Sequence, residues 1–315
     1  MLTATEIDRF NTEGFLVVAD VLGEDILAPL RSEYHDLMNR IYSEWEEQGL
    51  VPPGPDMDFW DKLLTAYQAR CDWFQPMDIA LPDGPLRADT PFHIGPAVFD
   101  LLTSPAILDI VQDLIGPEIT SNPIQHVRLK PPAAQLQADE VRAHVGGTDW
   151  HQDRGVALAS ADDTQMITVW VAVNDATLEN GCLTVIPKTA DQEMLPHCPK
   201  TQTAIADGFV NEDAAVPTPV GAGGVVLIHP LTPHAALPNR SGGFRWSFDL
   251  RYHVTGQSSG RDHFPSFVAR SSVDPSSELR DWRTLHHMWD ETRARIAATA
   301  HTPLHRWSGD APYCA

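Results

Sequence analysis

Apolar residues recur every three to four positions through Leu27, Leu30, Tyr34, Leu37 and Ile41, which predicts a helix of about 20 residues entered at Gly23-Glu24-Asp25. A second helical stripe, Ile107, Ile110, Val111 and Leu114, follows Ser104 as cap and Pro105 in the first turn, and stops at Gly116-Pro117. Ahead of both, Thr5-Glu6-Ile7-Asp8-Arg9-Phe10 opens a short helix with Thr3 or Thr5 as its cap. Asn11-Thr12-Glu13-Gly14 then reads as a turn and Phe15-Leu16-Val17-Val18 as a strand. After Gly116 the pattern turns extended. Residues 119–130 read as one strand stopped by Pro131-Pro132, and 166–173 as a strong strand. Asn180-Gly181 is a turn before Cys182-Leu183-Thr184-Val185-Ile186, and 223–229 and 244–254 are further strands. The period becomes helical again from about residue 275. Two stretches lack a period. Residues 50–95 are irregular and rich in Pro, Asp and Trp; 188–218 are long and polar, as in a lid or flexible loop.

Many short strands with Gly/Pro turns indicate a sandwich or barrel. With 315 residues, 43% hydrophobic and 21% charged, the chain is globular. No repeat or linker divides it. We expect one domain over 1–315: N-terminal helices and loops to about 118, a β core over about 119–255, and a C-terminal helical extension over about 256–315. A net charge of −21 argues against nucleic acid and against an anionic membrane surface, though not against an anionic substrate in a locally basic pocket. The four cysteines, Cys71, Cys182, Cys198 and Cys314, show neither metal-type spacing nor a disulfide framework. No apolar run of about 18 residues is present. The first residues lack a signal peptide's basic start and apolar centre, which makes the cytoplasm the expected location.

Candidate chemistry centres on Thr148-Asp149-Trp150-His151-Gln152-Asp153. In extended backbone, residues two apart face the same side, so His151 and Asp153 can reach one metal ion. An imidazole and a carboxylate are two-thirds of a facial 2-His-1-carboxylate site for Fe(II). With 14 histidines, roughly one such tripeptide arises by chance, so its surroundings decide its meaning. His234 is the candidate third ligand and His229 its rival. His144 is read as loop and His253 as packed or surface. His287 and Glu291 lie one helical turn apart and read as a solvated pair.

Taken in order, Glu6 to Val18, Leu101 to Gly116, Arg128-Leu129-Lys130-Pro131-Pro132, Trp150-His151-Gln152-Asp153, Val169-Trp170-Val171-Ala172-Val173, Glu179-Asn180-Gly181-Cys182-Leu183, His234 and Arg245 resemble the phytanoyl-CoA dioxygenase family of Fe(II)/2-oxoglutarate oxygenases. The resemblance covers roughly residues 5–255. It implies a mainly β fold, a double-stranded β-helix (jelly-roll, cupin-like) core with flanking helices. His151, Asp153 and His234 would hold Fe(II). Arg245, eleven residues after His234, would pair with the far carboxylate of 2-oxoglutarate, with Arg251 as rival; a bidentate guanidinium suits a carboxylate better than an ammonium does. Trp170, Gln152 and His126 align with co-substrate contacts, and Asn180-Gly181 serves a turn.

The implied activity is hydroxylation of an unactivated C–H with O2 as oxidant, releasing succinate and CO2, with ascorbate as a stimulant in vitro. Asp153 is a true carboxylate, which favours hydroxylation over halogenation. Pro187-Lys188-Thr189-Ala190 replaces the family's usual Pro-Gly-Ser-His segment, so no relative's substrate can be copied. The acidic surface favours a small polar metabolite or natural-product intermediate over a CoA thioester. Arg128 and Lys130 are candidates for an anionic group, and the 188–218 and Trp-rich 57–74 stretches for enclosing the substrate. We expect a monomer or homodimer. The competing reading is a cupin-like metal-binding isomerase or binding protein that does not use 2-oxoglutarate.

Overall fold

The structure is a computed structural model. It describes every residue except 83, 141, 143, 144, 190, 201, 300–305 and 315. The expectation for His144 therefore lies outside the described residues, as does Ala190.

Helix α1 (Ala4–Glu13) starts at Thr3, whose hydroxyl accepts from the Glu6 amide while the Glu6 carboxylate accepts from the Thr3 amide. It continues through the expected turn and ends only at Gly14, which takes the left-handed conformation (φ 75°). Strand β1 (Phe15–Val18) and helix α2 (Glu24–Glu47) follow, and α2 buries the expected stripe together with Met38 and Tyr42. The stretch read as irregular contains α3 (Phe59–Gln68) and the single turn α4 (Phe74–Met77). The start of α3 is fixed by Asp58, whose Oδ1 accepts from the Asp61 amide at 2.8 Å. Helices α5 (Pro96–Leu102) and α6 (Pro105–Ile115) come next; Ser104 precedes α6 without a side-chain capping bond.

The single strand expected over 119–130 is two, β2 (Ile119–Ser121) and β3 (His126–Lys130). Pro123 offers no amide, and the Asn122 carbonyl oxygen Oδ1 takes the Ile124 amide, so the ladder breaks between them. Then come β4 (Thr148–His151), the turn α7 (Asp153–Val156), β5 (Met166–Ala172), β6 (Leu183–Val185), β7 (His197–Pro199), β8 (Thr203–Ile205), β9 (Val216–Thr218), β10 (Val225–Ile228), β11 (His234–Ala236), β12 (Arg245–Val254), β13 (Phe267–Arg270) and α8 (Trp282–Ala297). The expected lid over 188–218 thus carries the β7–β8 hairpin and the edge strand β9. The C-terminal part is not purely helical, because β13 pairs with β2.

The strands form a jelly-roll of two facing antiparallel sheets. The larger runs β1-β10-β5-β12-β2-β13, with β3 also on β12; the smaller runs β4-β11-β6-β9. Alternation along the large sheet sorts its side chains. Val169, Val171, Trp246, Phe248, Leu250 and Tyr252 face the helices in one apolar cluster that reaches from Phe10 to Trp289. Trp170, Ala172, Val226 and Ile228 face inward, against Leu183 and Ala236 of the small sheet. Trp60 stacks on Phe244 and lies edge-on to Trp246, and Trp73 is fully buried, so the Trp-rich stretch backs the outer face of the sheet and does not enclose the interior.

Cys198 and Cys314 form a disulfide, contrary to the expectation of no framework. Their separation of 116 residues left no local signal; folding the tail back onto β7 creates the pair. Among the described residues, no helix is long and apolar enough to cross a membrane.

Candidate active site

Strand pairing makes the site. β11 lies antiparallel to β4 with His234 directly opposite His151, which places the two rings 4.1 Å apart between centroids. Asp153 follows at the start of α7. Its Oδ1 lies 3.7 Å from His151 Nε2 and its Oδ2 3.9 Å from His234 Nε2. One ligand atom from each of the three falls within 4.8 Å of the others. His229, the rival ligand, is outside this group; its Nδ1 accepts the Leu231 amide.

Both imidazoles have their tautomers set by backbone. His151 Nδ1 donates to the Asp149 carbonyl at 2.9 Å and His234 Nδ1 to the Thr232 carbonyl at 3.0 Å. The Nε2 of each ring therefore faces Asp153. Burial, reinforced by His234, holds His151 down to about pKa 3, so it is neutral at pH 7. Two imidazole nitrogens and a carboxylate oxygen converge. That donor set suits a divalent cation of borderline softness.

The carboxylate itself is held from behind. Arg251 Nη2 donates to Asp153 Oδ1, its Nε donates to Thr168 Oγ1 at 3.2 Å, and the Thr168 hydroxyl donates to Asp153 Oδ2. Burial pushes the Asp153 carboxyl up, but Arg251, His234 and His151 outweigh it and keep it ionised far below the usual range. Arg251 was weighed for another role. The alternation of Arg245, Ser247, Asp249 and Arg251 on one face of β12 is the sequence signal that places it inside.

An open cavity lies over this group, lined by the triad and by His126, Arg128, Trp170, Leu183, Arg245, Asp249 and Arg251, among others. Arg245 is buried against it. One Nη donates to the Gly181 carbonyl at 2.9 Å, the guanidinium sits 5.1 Å from the Trp170 ring centre, and Nε has no partner among the described residues. Burial lowers its pKa to about 10. Lys130, its register partner on β3, is also buried; among the described residues its amino group bonds the Thr148 hydroxyl, at 2.8 Å, and burial with Arg245 beside it pushes its pKa well down. A guanidinium buried in this way calls for an anion. Gly181 earns its place twice. Its φ of 86° suits the turn, and a Cβ there would lie 2.4 Å from the Leu237 carbonyl oxygen.

The remaining candidates divide. Trp170 and His126 line the cavity, with His126 Nδ1 held by buried Asp78 at 2.8 Å. Gln152 is not brought to the cavity. As the middle residue of an extended triplet it points the other way, with Nε2 donating to the Glu193 and Leu231 carbonyls and Oε1 accepting the Leu195 amide. A residue missed in the sequence is His197. Its Nε2 accepts the Gln152 amide between the two ligand positions, and its ring stacks on Trp307, whose indole donates to the Gly155 carbonyl. The disulfide at Cys198 ties this support to the C-terminal tail.

The model of the family described as phytanoyl-CoA dioxygenase matches residues 10–247. The chain belongs to the phytanoyl-CoA dioxygenase family. A phytanoyl-CoA dioxygenase domain-containing protein 1 from Danio rerio is 34% identical over 272 residues, 76% of this chain and 86% of that protein. A probable phytanoyl-CoA dioxygenase from Caenorhabditis elegans is 29% identical over 170 residues, which spans 51% of this chain and only about half, 52%, of that relative. Among solved structures, the non-heme monooxygenase ThoJ is similar in fold, with a TM-score of 0.61, 19% identity and coverage of 92% of this chain and 96% of that one. EvdO2 from Micromonospora carbonacea, crystallised with 2-oxoglutarate, has a TM-score of 0.52, 22% identity and coverage of 82% and 94%. These likenesses agree with the jelly-roll traced from the strands of this family member.

Three histidines, two buried and one half-buried, give a stability prediction. Burial holds His197, His229 and His253 down to about 4, below the unfolded value of about 6.5. The unfolded chain therefore binds more protons between these values. Their contribution is fully present above pH 6.5 and is lost as pH falls toward 4. Thermal melts of metal-free protein should show Tm falling steadily from pH 6.5 to 4. A flat profile would mean these rings are accessible to protonation in the folded state.

Proposed function

We propose that the chain is an Fe(II)- and 2-oxoglutarate-dependent oxygenase that hydroxylates an unactivated C–H of a small polar metabolite or natural-product intermediate, acting as a monomer or homodimer. One observation carries this reading. Three ligand atoms converge at one part of a cavity that also exposes a buried guanidinium with no carboxylate bonded to it among the described residues. His151, Asp153 and His234 would hold the iron, and Arg245 would take the far carboxylate of 2-oxoglutarate. The metal would supply activation of O2 coupled to decarboxylation of the co-substrate to succinate and CO2.

The rest falls to the protein. Backbone carbonyls keep both ligand imidazoles in the right tautomer, and Arg251 and Thr168 keep the carboxylate ionised and oriented. The Trp170 face stacks on Arg245 and fixes its fork, while Leu183 and Ile228 give the cavity a dry wall on which a hydrocarbon segment can rest. The binding of 2-oxoglutarate by EvdO2 supports the same use of the fold here. The cytoplasmic address is the part of the reading that the Cys198–Cys314 bond weighs against, because disulfides are rare where thiol buffers are reducing.

The test is anaerobic titration of Fe(II)-loaded protein with 2-oxoglutarate, followed by a succinate assay in air with ascorbate and a metabolite panel. A visible charge-transfer band and 2-oxoglutarate-dependent succinate release are expected. Metal binding that is indifferent to 2-oxoglutarate would instead favour a cupin-like isomerase or binding protein.

A further inference from the structure

The chain carries a net charge of −21, yet the charged side chains of the cavity wall are three arginines, Arg128, Arg245 and Arg251, against two aspartates, Asp153 and Asp249. Adding a divalent metal and dianionic 2-oxoglutarate leaves that balance unchanged. The loaded cavity is therefore positive inside a strongly acidic protein.

Two of the three arginines are committed. Arg251 holds Asp153 and Thr168; Arg245 holds the Gly181 carbonyl and, on the reading above, the co-substrate. Arg128 differs. It projects inward from β3, where its register partner is Ser247, two residues along β12 from Arg245 and so about 7 Å away along the strand. Only its Nε is used, donating to Asp249 Oδ2 at 2.8 Å. That bond fixes the guanidinium plane and leaves both terminal nitrogens uncommitted among the described residues. The neighbouring polar groups are Asp249, whose Oδ1 is buried without a partner, and His126, bound to Asp78. Leu183, Ile228 and Ile124 supply apolar wall in the same cavity.

We propose that Arg128 is the anion-binding residue for the primary substrate, which is a small molecule carrying one oxyanion head group, a carboxylate or a phosphonate, on a short apolar body. The proposal rests on the oxygenase reading only for the assignment of Arg245 to 2-oxoglutarate. A planar fork whose two terminal nitrogens are open matches a carboxylate or phosphonate and rejects a cation. Asp249 orients the fork and, as a like charge, discourages a second anion nearby.

The experiment is calorimetry on anaerobic Fe(II) protein saturated with 2-oxoglutarate, using a head-group series on one body: hexanoate, hexylphosphonate, hexanamide and hexylamine. The two anions should bind at least tenfold tighter than the amide and amine. Arg128→Gln, which keeps a hydrogen-bond donor for Asp249, should erase that preference while the 2-oxoglutarate Kd changes less than twofold; Arg128→Lys should keep part of it. Melting curves of both variants check the fold. Equal or tighter binding of the amide or amine, an anion preference that survives Arg128→Gln, or no anion binding at all would overturn the proposal. So would a weakened 2-oxoglutarate Kd in Arg128→Gln, which would move Arg128 into the co-substrate site. The preceding 2-oxoglutarate titration of the unaltered protein reads the oxygenase assignment separately.

Discussion

Asp153→Asn is expected to abolish the Fe(II)·2-oxoglutarate band and to cut succinate release by more than about 100-fold, beyond the 10–100-fold typical of changes to groups that merely support a ligand. The reasoning starts from the contacts. Among the described residues, Asp153 is the only anion facing His151 and His234 at ligand distance, and neutral asparagine is a poor replacement for a carboxylate on a divalent cation. Asparagine is chosen over alanine because of Arg251. Truncation would leave that guanidinium buried without its counter-charge, at a cost of about 3–5 kcal/mol, and loss of fold would masquerade as loss of metal. The amide keeps an oxygen for Arg251 Nη2. Arg251→Gln supplies the reciprocal result. Its metal-free form should melt lower, since Asp153 loses its counter-charge, and added Fe(II) should restore more Tm than it adds to the unaltered protein, because the ion takes over that compensation. An Asp153→Asn protein that still gives the band at unchanged iron affinity would remove Asp153 from the site.

Much of this arrangement was legible in the residues. The His-x-Asp spacing placed two donors on one side of an extended segment, and the alternation on β12 put Arg245 on a single face with Arg251. The order of motifs along the chain supplied the jelly-roll. What stayed hidden depended on contacts between distant segments. The opposition of His151 and His234 follows from β4–β11 pairing, which no local pattern encodes. Gln152 aligned with a co-substrate contact and is turned away from the cavity, into buried loop backbone, by the same alternation that turns its neighbours toward it. The Trp-rich stretch looked like a pocket wall because aromatic composition does not say which face of a sheet it covers; Trp246, one residue past Arg245, points to the helices and takes Trp60 with it. The support through His197, Trp307 and Cys314 requires the tail to fold back across more than 100 residues.

Arg245→Leu is expected to weaken 2-oxoglutarate binding by about 10- to 150-fold, the equivalent of losing a charge-assisted hydrogen-bonded pair worth about 1.5–3 kcal/mol. Arg245→Lys should recover only part of this, because an ammonium offers no planar fork and stacks less well on Trp170. With the co-substrate saturating, turnover should return close to that of the unaltered protein, so the loss appears in the 2-oxoglutarate KM and in the calorimetric Kd. Stability separates this role from an ordinary structural salt bridge. Without ligand, Arg245 is a buried charge with one carbonyl partner, an unpartnered Nε and Lys130 as its cross-strand neighbour. Its desolvation is only partly offset, by the Gly181 carbonyl, the Trp170 face and the charge of Asp249, so replacing it by leucine should leave the Tm of the ligand-free protein unchanged or raised. A structural salt bridge predicts the opposite, a clear fall. A lower Tm together with an unchanged 2-oxoglutarate Kd would strip Arg245 of the co-substrate role and turn attention to Arg128, the one cavity guanidinium with both terminal nitrogens still open.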